Sequence, residues 1–458
     1  MSMSGKVSEE LLYDTLKKLS SYGQYAEIFI ESSKKQAAVF ENKILDRVEN
    51  AVDSGLALRV IDGDKTFFAY TNNFSEKSIS ETSEELTSAL KAGYEKDIAV
   101  TSRDSVKLYL APSEKDIADK IQIVSDMDKA SRCDSRIIQS TSVYSEQLKD
   151  TRVINTDGSD ISQSLCYVTG YTAAVASDGK DMQQGYIPLG GLYGEPEVQS
   201  LDFISVSEES ARLALKNLSA RHAPAGMMTV VLGSSAGGTM VHEAVGHGLE
   251  ADLACNGMSV YAGKLGQKVA ADIITVVDDG TLEHKRGSFI YDDEGVKSGT
   301  NILIDKGVLK SYMTDRLYSA KENICLTGNG RRQSYKHRPI VRMTNTMIMP
   351  GSETPEDIIK SVDKGLYVAR MGGGQVNTVT GDFVFEVTEG YTIVNGKLCD
   401  PVKNATLIGN GPKVMREIDM LGSDIGFGIG TCGKEGQEVP VSDAQPTLRI
   451  PKITVGGR

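Results

Sequence analysis

Residues 226–254 read GMMTVVLGSSAGGTMVHEAVGHGLEADLA. The apolar run at 228–232 predicts a buried strand, and the glycine-rich GSSAGG that follows ends it. A helix is expected from there to about Ala254, carrying His242, Glu243 and His247. Imidazole nitrogens suit zinc, and a carboxylate directly after the first histidine can take a proton from an activated water. In the short form of such a motif, HExxH, the two histidines lie one helical turn apart. Here the spacing is one residue longer. Positions i and i+4 of an α-helix stand roughly 40° apart around the axis, but i and i+5 roughly 140°. Both rings can face one ion only if the helix widens locally into a π-type turn, which we expect over residues 244–248. Gly246 and Gly248 would ease that distortion.

Working outward, His222-Ala223-Pro224-Ala225-Gly226 interrupts the pattern and divides the chain into residues 1–220 and 221–458. The first part reads as a mixed α/β domain with an antiparallel sheet. Ser8 caps a helix bearing Leu11, Leu12, Leu16 and Leu19. Strands are expected at 25–31, 37–40, 55–61 and 65–70, with Asp62-Gly63 as a hairpin turn. Helices are expected at 80–94 and 114–130, strands from 136 to 193 around an Asp157-Gly158 turn, and a helix at 208–218. The second part reads as mostly β: strands at 273–277, 300–304, 307–313, 340–349, 383–387 and 391–394, and one helix at 355–362 with Pro355 in its first turn. The fold class is therefore α+β, with the HExxxH helix embedded in a mostly-β C-terminal domain.

Composition narrows the function. The chain of 458 residues has 62 Asp and Glu against 50 Lys and Arg, a net charge of −12. An acidic surface repels phosphate backbones, which argues against nucleic acid as a direct partner. Its basic pairs, Lys285-Arg286 and Arg331-Arg332, are short and lie near glycines. No apolar run is long enough for a membrane span, and MSMSGKVSEELLYDTL lacks the apolar core of a signal peptide. The six cysteines are scattered, with no CxxC pair, as free thiols or metal ligands would be. A cytoplasmic protein is expected.

A catalytic zinc takes three protein ligands and leaves one position open. His222, His284 and His337 have no partner at ligand spacing. Cys432, within Gly426-Phe427-Gly428-Ile429-Gly430-Thr431-Cys432-Gly433-Lys434, has glycines that let a backbone approach a crowded centre, and Lys434 could favour its thiolate. On these residues alone Cys432 reads better as an inert buried thiol in a glycine-rich turn.

VHEAVGHGLEAD, VVDDGTL, DDEG, TGNGRRQSY, RMTNT, GGGQV, ATLIGNGP and CGKEGQ occur in this order. Together with GLALRV and FAYT near the N-terminus, they resemble the TldD branch of the TldD/PmbA peptidase family over nearly the whole chain. The resemblance implies a peptidase with one zinc ion per chain held by His242, His247 and Cys432, and Glu243 as catalytic base. It also implies peptide substrates held extended, and a dimer, either with the metal-free PmbA (TldE) paralogue or of two identical chains. Glu250 and Asp252 are candidates to hold the imidazoles, and Arg332, Tyr335 and His337 to donate hydrogen bonds to substrate; structural roles for all five stay open. So do two other readings: a thiol hydrolase with Cys432 as nucleophile, and a non-enzymatic modulator acting through a partner such as a topoisomerase.

Overall fold

The computed structural model describes residues 7–94, 99–107, 116–195 and 197–457. Ser8 accepts the Leu11 N–H and starts the first helix, Glu9–Ser20. That helix buries Leu12, Leu16 and Leu19 on Ala26, Ile28, Ile30, Leu56, Leu58 and Val60 of the sheet beneath it. Among the described residues this sheet has seven strands. Lys65–Thr71, Ile44–Asp62, Tyr25–Glu41, Ile137–Asn155 and Ser159–Ser177 run in that order, all antiparallel, and Ser159–Ser177 also pairs with Met182–Leu192 and, in parallel, Ser102–Lys107.

The turn expected at Asp62-Gly63 is the two-residue loop Gly63-Asp64, one position later, and that expected at Asp157-Gly158 is the three-residue loop Thr156-Asp157-Gly158. The strands themselves are longer than expected. Tyr25–Glu41 and Ile44–Asp62 continue as a hairpin through the polar SSKKQ and an exposed arm, closed at Asn42 and Lys43 in the left-handed region. The expected helix at 80–94 is Glu76–Thr87, and that at 208–218 begins earlier, as Phe203–Ser219. The expected start at Glu114 lies outside the described residues; the helix there is described as Ile117–Ser131, capped by Asp116.

From residue 221 onward two large sheets form among the described residues, beside a two-stranded ladder of Gly330–Arg331 and Ile340–Val341. In one, Lys364–Val376, Gly226–Leu232, Leu448–Gly456, Ala405–Asn410 and Asp382–Val394 pair in sequence, and the last pairs back to the first, closing a five-stranded ring. The other has six strands among the described residues, ending in the antiparallel hairpin Gly426–Lys434 and Gln437–Gln445. The HExxxH segment is wedged between them. Val241, Val245 and Leu249 share one core with Leu366, Val368 and Phe385 of the ring and with Val341, Met343 and Ile348 beside the other sheet. The expected strands at 307–313 and 340–349 shrink to Val308–Leu309, Ile340–Val341 and Asn345–Ile348.

The N-terminal sheet meets these residues through buried ions. Arg332 pairs with Glu27, and Arg59 with Glu27 and Glu294; all four side chains are at most 1% exposed. Arg332 also stacks 4.1 Å over the Phe29 ring. Tyr335 packs on Gly55, where a Cβ would sit 2.1 Å from its ring, and its hydroxyl donates to Asp53 at 2.9 Å. The mixed α+β class read from sequence is borne out. Arg332 and Tyr335 belong to this contact.

Candidate metal centre

The backbone around the motif never leaves the helical region: φ and ψ are −56° and −54° at His242, −58° and −35° at His247. Yet His242–Gly246 forms a π turn in which the His247 N–H donates to the His242 carbonyl, an i→i−5 bond. The widened turn sits two residues earlier than expected and answers the five-residue spacing: the imidazoles come together with ring centroids 5.0 Å apart and planes at 89°.

The helix does not run unbroken to Ala254. A 3-10 turn, His247–Leu249, follows, then Glu250 with extended backbone, then a short helix, Ala251–Ala254. Widening a helix frees carbonyls that must find donors. Here the Tyr261 hydroxyl donates to Ala244 O at 3.1 Å and the Ser259 hydroxyl to Gly248 O at 2.5 Å. Gly246 is needed for a different reason from the one expected. Its φ of −54° suits any residue, but a Cβ would lie 2.0 Å from the Met343 sulfur.

Cys432 arrives on the edge strand Gly426–Lys434. Its glycines allow the approach foreseen from sequence: a Cβ on Gly426 would meet Ser234 O at 2.2 Å, and one on Gly428 Asp443 Oδ1 at 2.8 Å. The Cys432 sulfur lies 3.4 Å from His247 Nε2, and donor atoms of His242, His247 and Cys432 all fall within 4.8 Å of one another. Ligands at about 2.0–2.3 Å from a tetrahedral ion stand roughly 3.3–3.8 Å apart. Two imidazoles and a thiolate at this separation fit a zinc-type ion after small side-chain adjustments.

The charges around the trio are ordered. His247 Nδ1 is 2.9 Å from Glu250, whose other neighbour, Lys434, also reaches Asp252 and the Val341 carbonyl. Glu250 thus supports an imidazole, whereas Asp252 touches Lys434 and not a histidine. Burial penalises the Glu250 carboxylate, but Lys434 and His247 outweigh it and hold its pKa at about 2. Burial likewise pushes the Cys432 thiol up, and hydrogen bonds with His242 and His247 more than reverse this, bringing it to about 4. The histidines, rather than Lys434, make the thiolate. Glu243 is raised above the usual carboxylate range by burial.

Asp443 was missed by sequence reasoning. Its Oδ2 lies 4.0 Å from His242 Nδ1 and its Oδ1 accepts the Gly238 N–H. Extending the hairpin from CGKEGQ, with its turn at Glu435-Gly436, would have placed Asp443 opposite Gly428. The remaining histidines are elsewhere engaged: His222 is 3.3 Å from the Asn404 amide, His337 3.0 Å from the Ser334 hydroxyl, and His284 stacks on Tyr193. Among the described residues Arg332, Tyr335 and His337 do not line the cleft of about 1080 Å³ in which His242, Glu243, His247 and Cys432 sit.

The sequence matches the PmbA/TldA metallopeptidase C-terminal domain over residues 225–457, the central domain over 110–218 and domain 1 over 26–95. The chain belongs to this metallopeptidase family. A metalloprotease TldD homolog of Haemophilus influenzae is 38% identical over 447 residues, 94% of this chain and 93% of its own. A zinc metalloprotease TldD homolog of Saccharolobus solfataricus is 30% identical, covering 90% of this chain and 91% of its own. TldE from Thermococcus kodakarensis shares the fold, with a TM-score of 0.75 at 16% identity over 98% of this chain and all of that one. Among the described residues no helix is long and apolar enough to cross a membrane.

Glu250 gives the centre a pH signature. Its folded pKa of about 2 lies below the ordinary 4.5, so its stabilisation is complete above pH ~4.5 and lost as pH falls towards 2. Chemical denaturation of wild type and Glu250→Gln should show a gap of roughly 3 kcal/mol at neutral pH that closes across this window. A gap independent of pH would mean that the Glu250 charge contributes nothing.

Proposed function

We propose that His242, His247 and Cys432 hold one zinc ion per chain and that Glu243 is the general base of peptide hydrolysis. The carrying observation is the convergence of two imidazoles and a low-pKa thiol beside a buried carboxylate, in a cleft large enough for a peptide. The name of the Saccharolobus relative supports zinc as the metal. When bound, zinc would supply Lewis acidity to water and to the scissile carbonyl, with a net charge of about +1 beside one thiolate. Glu243 takes the proton of the attacking water and passes it to the leaving amine; its raised pKa favours both transfers. Glu250 accepts from His247 Nδ1–H, which leaves the Nε2 lone pair, on the side facing Cys432, free to ligate the ion. In this reading residues 221–458 carry the whole ligand set and 1–220 form a separate α+β domain.

Metal analysis tests the ligand set. Wild-type protein should hold one equivalent of zinc, and His247→Ala and Cys432→Ala should lose it. Glu243→Gln should keep the ion while turnover drops about 10²–10⁴-fold. Unchanged turnover in Glu243→Gln would restore the thiol-hydrolase reading, and no turnover in the zinc-loaded wild type the non-enzymatic one.

The substrate is proposed to bind as an extended strand. Past Val368, strand Lys364–Val376 no longer pairs with Gly226–Leu232, and its register with Asp382–Val394 shifts between Met371 and Gly374. Backbone at Gly372 and Gly373, unpaired with Asp382–Val394 and exposed at Gly373, thus lines the cleft and suits strand addition, which selects conformation over side chains. Scrambling a substrate's side chains should alter kcat/KM far less than placing a proline beside the scissile bond; the reverse ranking would defeat strand addition.

A dimer, with a metal-free PmbA/TldE paralogue or a second copy, is proposed on the exposed arm of Ile44–Asp62. Its outer edge pairs only from Leu56 onward, and Ile44 and Val52 are about 70% exposed (68% and 70%). Sedimentation of Val52→Lys should show dissociation; an unaffected dimer would move the contact elsewhere. The net charge of −12 supports no direct nucleic-acid partner, and six free cysteines support a cytoplasmic setting.

A further inference from the structure

The loop at 280–288 lays two cations along the strand that ends near Cys432. Lys285 Nζ stands 4.0 Å over the Phe427 ring, in the same cleft as the metal trio. Arg286 lines an adjoining pocket that shares Tyr186 and Thr431 with that cleft. It donates to Gly430 O at 3.1 Å and to the hydroxyls of Thr169 at 2.6 Å and Thr431 at 3.4 Å. Among the described residues neither cation makes an ion pair with a carboxylate.

The other cations of the cleft differ. Arg370 is neutralised by Glu209 at 2.6 Å and Glu389 at 3.2 Å, and Lys434 by Glu250 and Asp252. In a chain with 12 more acidic than basic side chains, counter-ions abound, yet none is placed here. Burial holds both Lys285 and Arg286 below their ordinary pKa, with no neighbouring carboxylate to restore it. A desolvated, unneutralised positive charge in a concave site attracts anions far more strongly than one on an open surface.

We propose that Lys285, backed by Arg286, is a carboxylate-binding subsite of the cleft, so that peptides carrying a negative charge several residues from the scissile bond are preferred. This rests on reading the cleft as the peptide site. Phe427 precedes Cys432 by five positions of extended strand, about 17 Å at ~3.3 Å per residue. The charge is therefore read remotely, where binding energy selects substrate without crowding the metal. The carboxylate can be the peptide's C-terminus or an acidic side chain.

Three fluorescent alanine–threonine peptides of about seven residues distinguish the sources: a free C-terminus, a C-terminal amide, and an amide with one glutamate. Affinities are measured on Glu243→Gln, which does not depend on turnover, and kcat/KM on the zinc-loaded enzyme. At least one carboxylate peptide should bind about tenfold more tightly than the plain amide. The preference should weaken with added salt and collapse in Glu243→Gln/Lys285→Met. Preference for the free terminus assigns the subsite to the C-terminus, and preference for the glutamate to a side chain. A carboxylate-to-amide ratio that Lys285→Met leaves unchanged overturns the proposal. Absent turnover of every peptide, with the affinity ratio intact, would overturn the peptidase reading and leave the subsite standing.

Discussion

Two imidazoles five residues apart reach one point only if the backbone between them gives up an α turn, and much of the surrounding structure follows from that constraint. The i→i−5 bond from His247 to His242 keeps the turn helical, but it leaves carbonyls pointing where no helical N–H can meet them. Ser259 and Tyr261, on the segment after the short helix, supply the hydroxyls. The wider turn also fills more space: Met343 leaves no room for a side chain at Gly246, and the Ala244 carbonyl leaves none at Gly411. Packing from three directions therefore holds the turn, which needs no strained φ at either histidine.

Charge is arranged on the same principle of mutual support. Lys434 lies between Glu250 and Asp252, and Glu250 faces His247. Lys434 thereby acts on the centre through a carboxylate and an imidazole, not by touching the thiol two residues before it. Buried ion pairs gain little net stability, but they lose much when one member is removed. Their value here is geometric, since Glu250 at 2.9 Å from His247 Nδ1 orients that ring towards Cys432.

The strand–turn start of residues 226–254, the need for a widened turn and the first helix cap were legible because each depends on local spacing. Family resemblance added Cys432, which no local rule could have tied to His247. Asp443 escaped because it reaches His242 only through hairpin pairing, and a strand's partner is not written in its own residues. The long arm of Ile44–Asp62 was hidden for a related reason: much of its outer stretch faces solvent, so it lacks the alternation that marks a half-buried strand. Arg332 and Tyr335 could be read in sequence either as substrate donors or as structural residues; they are spent on Glu27 and Asp53 across the contact between the two halves.

Of the three proposed ligands, His247 and Cys432 lie 185 residues apart in the chain. Closing a loop of that length costs about 5 kcal/mol of chain entropy beyond a constant, which packing of the ring and sheet between them must offset. During synthesis the histidines emerge early and stand alone while most of the ring is still unmade. A complete donor set exists only once the final hairpin has left the ribosome and docked. On the proposed ligand set, metal capture is a late event that registers completion of the fold, and a chain cut before Cys432 keeps two histidines but lacks the third donor.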